Sequence, residues 1–375
     1  MIDKGQASHG GTGMLSNPLS FWGNDDLLMT ETARDAARRA DPDVFRVLDW
    51  PELRDLFQQH EAPAKALKRS SRRTGVAAAM ATGIGAGLLA LAPILPFGQL
   101  VTLVSLLATV AGFLVGIWHW IFGAEKRAWL QHRHWAERTR QFYFQFIINH
   151  LELATHAMSA DAALDQWRSV RAACLAEFVH GFGQDQIFDP ARIEEDRTSS
   201  RAWILRRWAD AAKVPFAEVS TEYATLEKLL DRLGEQRIRI QQRYTAATGQ
   251  KTIHAPGVRR IILDRSGDAL TASVALSAIW GGFALVFGYD SVVPLAIGAA
   301  SGALGLLTRA LAQGLSVAVD VDRMEWYLQA INDCDASFGA GGAQAKIDAL
   351  RALEVHAYRE MQQFLIAHRA EKFIV

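Results

Sequence analysis

Two long stretches of the 375-residue chain have almost no charge. No Asp, Glu, Lys or Arg occurs from Thr74 through Ala124, and the stretch from Ala269 to Thr308 carries one charge, Asp290. A helix that spans a bilayer needs about 20 predominantly apolar residues, so each stretch is long enough to cross a membrane and return. Soluble cores rarely contain uncharged runs of this length, which argues against two buried hairpins in a soluble protein. The sequence therefore predicts four transmembrane helices.

Cysteine is scarce, and net charge is absent. The two cysteines, Cys174 and Cys334, have no partner at CxxC or CxxxC spacing, which argues against a metal or redox site. We expect both to be packed, reduced thiols. The 40 basic and 40 acidic residues cancel, so the composition gives no reason to expect a nucleic-acid partner.

The first thirty residues lack the apolar core of a signal peptide. They are polar and rich in Gly and Ser. We therefore expect no cleavable signal, and we expect part of this N-terminal segment to be disordered. Membrane insertion would then be directed by the hairpins themselves.

Proline and glycine divide each uncharged stretch into two helices joined by a short turn. The length of a bilayer predicts transmembrane helices over residues 76–95, 99–122, 269–288 and 292–312. Pro93 and Pro96 close the first of these helices, and Pro294 falls in the first turn of the fourth, where proline is tolerated.

Basic residues flank both hairpins but are missing from their turns. The flanking residues nearest the two hairpins include Arg72, Arg73, Lys126, Arg127, Arg259, Arg260, Arg265 and Arg309. The positive-inside rule therefore places both chain termini in the cytoplasm and both turns on the other side of the membrane.

The rest of the sequence favours helices and shows no convincing strand. We predict an all-α, multi-pass integral membrane protein with two transmembrane helical hairpins and extended cytoplasmic helices. Its expected parts are a polar N-terminal segment, a first hairpin module, a helical insert and a second hairpin module, with boundaries at 1–45, 46–160, 161–214 and 215–375. The two modules share a plan and an orientation rather than residue identity.

Small and weakly polar residues form stripes along the predicted spans. The second span carries them at alternating spacings of three and four: Thr102, Ser105, Thr109, Gly112 and Gly116. The other spans contribute Gly83, Gly87, Ser273, Ser277, Gly298 and Gly302. Such stripes let helices approach closely in lipid, so these residues are candidates for helix packing. Alternatively, the Thr/Ser stripe of the second span lines a pore once several chains assemble.

No ionisable residue lies in the middle of a predicted span. Ion-coupled transporters usually carry such a residue as a proton relay or an ion ligand, so a coupled transporter is disfavoured.

Motifs for catalysis are also missing. The glycine run from Gly83 to Gly87 lies inside an apolar span with no strand before it, and the segment from Gly249 to Thr252 lacks the P-loop spacing. His132 and His134 are two residues apart and face different sides of a helix, so they cannot easily share a metal. We therefore expect no enzyme, no catalytic or metal-binding residues and no cofactor.

Two short motifs resemble a known family. Residues 132–140, which include Arg133, Glu137 and Arg140, fit an Arg…Ala-Glu…Arg pattern that follows a hairpin. Residues 353–360, which include Glu354 and Glu360, are similar to a closing helix with paired glutamates before a tryptophan, although Phe364 takes the tryptophan's place. Both resemble the SLATT superfamily of two-transmembrane effector modules, found with bacterial nucleotide-signalling defence systems. The resemblance covers roughly residues 50–160 and 215–370 and implies a tandem arrangement.

The resemblance implies a function as well. The expected protein is an effector of bacterial antiviral defence that oligomerises in the inner membrane and permeabilises it when triggered. Its expected partners are the lipid bilayer, further copies of itself, and a sensor protein or nucleotide second messenger as trigger. A non-conducting membrane scaffold or signal transducer is the alternative, and a small-molecule transporter ranks third.

Overall fold

The chain folds into helices. In a computed structural model, residues 26, 28, 31–184, 199–215, 223–249 and 256–370 are described, and these residues contain no strand. The expectation of an all-α protein is confirmed for this part of the chain. Most of the predicted polar N-terminal segment lies outside the described residues.

Fourteen α-helices, numbered here in chain order, occur within the described ranges. They are α1 Glu31–Ala40, α2 Pro42–Leu48, α3 Pro51–Leu91, α4 Gly98–Phe122, α5 Ala124–Asn149, α6 Leu151–Ser159, α7 Asp161–Gln184, α8 Arg206–Ala211, α9 Tyr223–Gly234, α10 Ile240–Gly249, α11 Pro256–Phe287, α12 Val292–Gly314, α13 Val317–Ala340 and α14 Ala343–Ala370. A π-helical turn, Glu235–Arg239, joins α9 to α10.

Four of these helices are long and apolar enough to span a membrane, at the places that the sequence predicts. They are α3, α4, α11 and α12. Two of them begin well before the predicted spans: α3 starts at Pro51 rather than at 76, and α11 starts at Pro256 rather than at 269. The 41 residues of α3 extend about 60 Å at 1.5 Å per residue, roughly twice the thickness of a hydrocarbon core.

The four spanning helices pack in a row, in the order α4, α3, α12, α11. The two end helices, α4 and α11, expose many large apolar side chains, including Leu103, Leu107, Leu114, Leu276, Ile279 and Val286. Exposed apolar faces of this size suit contact with lipid better than contact with water.

The helices outside the spans share one hydrophobic core, and they are called the peripheral region below. This core includes Phe146 from the predicted first module, Trp167 from the predicted insert and Leu353 from the predicted second module, each at most 1% exposed. Aromatic rings supply much of its volume. The module boundaries at 46, 161 and 215 stay predictions, since one core contains residues from all three parts.

Candidate functional site

The stripe on α4 packs against α3. Ser105 and Gly112 are buried, and Thr109 is partly buried. A Cβ atom added to Gly112 would lie 2.6 Å from the backbone nitrogen of Thr82 and 2.8 Å from the carbonyl oxygen of Ala78. The glycine thus permits a backbone approach that any side chain would block.

The ends of the same stripe differ in their surroundings. Gly116 is buried. Thr102 is exposed, and its hydroxyl donates to the carbonyl oxygen of Gly98 at 2.7 Å. Thr109 satisfies its hydroxyl in the same way, by donating to the carbonyl oxygen of Ser105 at 2.7 Å. These hydroxyls are bonded within their own helix, so none of them requires a partner elsewhere.

Gly83 and Gly87 face the second hairpin instead. A Cβ atom added to Gly83 would lie 2.5 Å from the Cβ atom of Leu307, and one added to Gly87 would lie 3.6 Å from Cγ of Leu304. Both leucines belong to α12. The two glycines therefore lie in the contact that joins the hairpins.

The stripes of the second hairpin face each other. The hydroxyls of Ser273 on α11 and Ser301 on α12 are 2.9 Å apart. Added Cβ atoms would lie 3.1 Å from Cβ of Ser277 at Gly298 and 3.9 Å from Val274 at Gly302. In the single chain the stripes thus form helix contacts. Lining of a pore by the Thr/Ser stripe stays a prediction.

A cluster of buried and partly buried charges lies in the peripheral region, and it contains all five residues of the SLATT-like motifs. Its ion-paired groups lie close enough together that Arg237 affects the pKa of Glu137, and Glu137 affects that of Glu360. This ionic cluster consists of Asp26, Glu61, Arg133, Glu137, Arg140, Arg237, Asp320, Arg323, Glu354 and Glu360. Residues far apart in sequence meet there, and the helices that supply them include α3, α5, α13 and α14.

Arg140 and Arg133 organise the first half of the cluster. Arg140 donates from Nε to Asp26 at 2.9 Å and from Nη1 to both oxygens of Glu137 at 2.9 Å. The side chains of Arg140 and Asp26 are each 2% exposed. Arg133 lies 2.5 Å from Glu137 and donates to Glu61 on α3 at 3.1 Å. The chain of contacts therefore reaches the helix that continues into the first hairpin.

Arg237 and Arg323 organise the second half. Arg237 lies in the π-helical turn and donates from Nε to Glu354 at 2.6 Å, with both side chains almost fully buried. Single π turns inside helices are frequent at functional sites. Arg323 on α13 donates to Asp320 at 2.8 Å and lies 3.4 Å from Glu360 on α14. This half therefore links α14 both to the π-helical turn, which precedes the second hairpin, and to α13, which follows it.

Aromatic rings cover the guanidinium groups of Arg140, Arg237 and Arg323. The Cζ atom of Arg140 lies 4.9 Å from the ring centre of Phe57, and that of Arg237 lies 4.8 Å from the ring centre of Phe144. Cation–π contact of this kind is strongest where water is excluded.

The carboxylates of the cluster fall into two classes. Burial alone would raise the pKa of Glu137, but Arg133 and Arg140 outweigh burial and lower the pKa to about 2. Burial raises the pKa of Asp26, Glu354 and Glu360 above the usual range, despite the arginines beside them. Glu137 is therefore a fixed negative charge, whereas the other three take up a proton more readily than an ordinary carboxylate.

Sequence reasoning did not single out Asp26, Glu61 or Arg237. A signal for Glu61 was present, because Leu53, Phe57 and Ala64 place it on the buried face of α3 at helical spacing. A charged residue on an apolar helix face indicates a buried partner. Asp26 carried no such signal, since its partner Arg140 is 114 residues away.

The histidines at 132 and 134 face different neighbours. His132 approaches His60 on α3, with their Nδ1 atoms 3.1 Å apart. Burial, together with Arg138, lowers the pKa of His134 to about 3. Within the part of the chain that the structure describes, no group of three or more His, Cys, Asp or Glu side chains could hold a metal ion.

The structure places the rejected glycine run inside α3. In the segment from Gly249 to Thr252, Gly249 ends α10 and the rest lies outside the described residues.

No protein-family model, curated protein or solved structure matches this chain. The relation to the SLATT superfamily therefore stays a prediction from the two motifs.

Proposed function

We propose that this protein is an effector of bacterial antiviral defence that permeabilises the inner membrane when a sensor protein or nucleotide second messenger triggers it. The continuity of α3 is the observation that carries this proposal. One helix runs from the ionic cluster, where Glu61 meets Arg133, to the packed stripe of the first hairpin.

Continuity gives the two regions a direct mechanical connection. Glu61 and Ala78 are 17 residues apart on α3, or about 25 Å along the helix axis. Helices transmit displacements because their hydrogen bonds resist bending, and α3 stays helical across Pro63, which removes one of these bonds near Glu61. A change at Glu61 therefore alters the contact between Ala78 and Gly112. A trigger that rearranges the ionic cluster would therefore loosen α4 from α3.

The resting arrangement is closed. Ser105 and Thr109 face α3, so these two polar residues are not presented to a pore while the hairpin is packed, although Thr102 is exposed. Release of α4, in an assembly of several chains, exposes this stripe to a shared path through the membrane. In this proposal the basic flanks place the peripheral region and both termini in the cytoplasm, where a nucleotide or sensor is available.

A non-conducting scaffold or signal transducer is the second candidate. It is favoured by the same packing, because most of the small and polar stripe residues already contact a neighbouring helix of the same chain. Planar-bilayer recordings on purified oligomers distinguish the two candidates, since only an effector that permeabilises membranes gives a conductance.

Membrane potential in living bacteria tests the proposal. Cells that express the protein are followed with a voltage-sensitive dye during phage infection. In cells that carry the wild type we expect depolarisation only during infection. In cells that carry Gly112→Leu we expect depolarisation without infection, because the leucine side chain keeps α4 from packing against α3 in the closed state. A normal potential in infected wild-type cells, across phages that the protein protects against, would refute permeabilisation and favour the scaffold.

A further inference from the structure

Two histidines meet between α3 and α5, beside the ionic cluster. The Nδ1 atoms of His60 and His132 are 3.1 Å apart, and their ring centres are 5.3 Å apart. Both side chains are partly exposed. Two nitrogen atoms from different helices thus converge on one point that solvent can reach.

Neighbouring contacts hold this pair in place. Trp135 stacks on the ring of His60, with ring centres 4.9 Å apart and planes 12° from parallel. The next residue in sequence after each histidine, Glu61 and Arg133, forms an ion pair at 3.1 Å between the same two helices. Lys65 binds the other oxygen of Glu61 at 3.2 Å. The donor atoms are therefore positioned by their surroundings before any ligand arrives.

The separation of the nitrogen atoms suits a metal ion. Two nitrogen ligands at about 2.0–2.1 Å in a tetrahedral site lie about 3.3–3.4 Å apart, so the pair needs to widen by about 0.3 Å. Each ring must also turn, so that its Nδ1 lone pair points to the ion rather than to the other nitrogen. Imidazole is a preferred ligand of zinc, copper and nickel. In the hydrogen-bonded pair one Nδ1 carries a proton. When that ring changes tautomer the proton moves to Nε2, and both Nδ1 lone pairs become free to bind the ion.

We propose that His60 and His132 bind a late first-row divalent metal ion, Zn²⁺, Ni²⁺ or Cu²⁺, through their Nδ1 atoms, with water in the remaining positions. The bound ion would link α3 to α5 one residue away from the Glu61–Arg133 ion pair. It would therefore stiffen the junction through which α3 leaves the peripheral region. Metal binding at this pair does not depend on whether the protein conducts ions.

Calorimetric titration of the purified full chain with Zn²⁺ tests the site. We expect one saturable site per chain, weakened by at least about tenfold in His60→Gln and in His132→Gln, as is usual when a metal site loses a supporting group. His180→Gln is the matched control, because His180 is an exposed histidine on α7, whereas the pair lies on α3 and α5. We expect it to bind Zn²⁺ like the wild type.

A second measurement reports on the site without changing the histidines. Cu²⁺ quenches tryptophan fluorescence at short range, and Trp135 stacks on His60. We expect Cu²⁺ to quench part of the wild-type fluorescence in a saturable way. Most of this saturable quenching should be lost in Trp135→Phe. Circular dichroism establishes that each variant keeps its helices.

Two results would refute metal binding by His60 and His132. One is equal Zn²⁺ affinity in the wild type and in both folded histidine variants, which would place the binding elsewhere. The other is the absence of saturable Zn²⁺ and Cu²⁺ binding by the wild type, which would leave the pair as a hydrogen bond between two neutral rings.

Discussion

The two hairpins have similar compositions but pack differently. In the first, Cβ atoms added to Gly85 or Gly112 would lie 2.6–2.9 Å from atoms of the facing helix, including its backbone. In the second, the distances at Gly298, Gly302 and Gly305 are 3.1–3.9 Å, all to side chains. The absence of charge therefore predicts where helices cross a membrane. How closely two such helices pack depends on which residues face each other.

The hairpins also differ in how they connect to the peripheral region. The first continues without a break through α3 to Glu61, which binds Arg133. The second leaves through a turn at Ser316, whose φ of 48° is left-handed, before α13 carries Arg323 into the ionic cluster. The first connection is one continuous helix that contains Pro63, whereas the second contains a turn.

Replacing an arginine of the ionic cluster should give the largest difference in stability between the two connections. Arg140→Met removes the guanidinium that neutralises fully buried Asp26, and breaking a buried pair costs about 3–5 kcal/mol. Arg323→Met should cost less, because its partners Asp320 and Glu360 are 14% and 20% exposed and can be hydrated. Thermal unfolding in detergent measures both. Equal losses would show that the two halves of the cluster are buried alike.

Adding one methyl group to each hairpin should give the next largest difference. Gly112→Ala forces the Thr82 backbone away, and overpacking of this kind costs about 1–3 kcal/mol. Gly302→Ala meets only Val274 at 3.9 Å and removes a helical glycine, so we expect an effect between zero and about 1 kcal/mol of stabilisation. Unfolding midpoints and oligomer size by light scattering check the pair. A loss of stability in Gly302→Ala as large as that in Gly112→Ala would contradict the closer packing of the first hairpin.

Acid should weaken the first connection through Glu137. Its pKa is lowered to about 2 from an ordinary value of 4.5, so its contribution to stability is present above pH 4.5 and is lost as the pH falls toward 2. Burial raises the pKa of Glu354 and Glu360, so protonation of these two groups acts in the opposite direction. We expect the stability difference between wild type and Glu137→Gln to shrink over this range. A difference that does not change with pH would contradict this role for Glu137.

The hydroxyl contact of the second hairpin should have the smallest effect. Ser273→Ala removes the bond to Ser301, and such bonds between membrane helices contribute about 0.6 kcal/mol on average. Thr271→Val is the control, because the Thr271 hydroxyl bonds to Gly267 of its own helix. If Ser273→Ala lost more stability than Gly112→Ala, the second hairpin would be the more tightly packed of the two.

The sequence predicted the four spans because bilayer thickness and the cost of buried charge leave few alternatives. It did not predict where α3 and α11 begin, since the helical backbone continues into charged segments where a hydropathy rule stops. Pro63 lies inside α3 without ending it. Charge thus marks the edge of the membrane rather than the end of a helix.

The sequence did not predict which helices and side chains contact each other. Gly83 and Gly85 are two residues apart, yet Gly83 faces α12 and Gly85 faces α4. Helical spacing shows that they lie on different faces but not which helix each face meets. In the same way, the two motifs gave Arg133, Glu137, Arg140, Glu354 and Glu360 as a set, whereas their meeting in one buried cluster depends on contacts across the whole chain.

Dye release from liposomes that contain the purified protein tests the coupling through α3 most directly. Glu61→Gln removes the charge that Arg133 holds, and Glu52→Gln is the matched control on the same helix, since the Glu52 side chain is 68% exposed. We expect rapid release with Glu61→Gln and intact vesicles with the untriggered wild type and with Glu52→Gln. Intact vesicles with Glu61→Gln, at equal protein content and correct insertion, would show that the ionic cluster does not control the membrane helices.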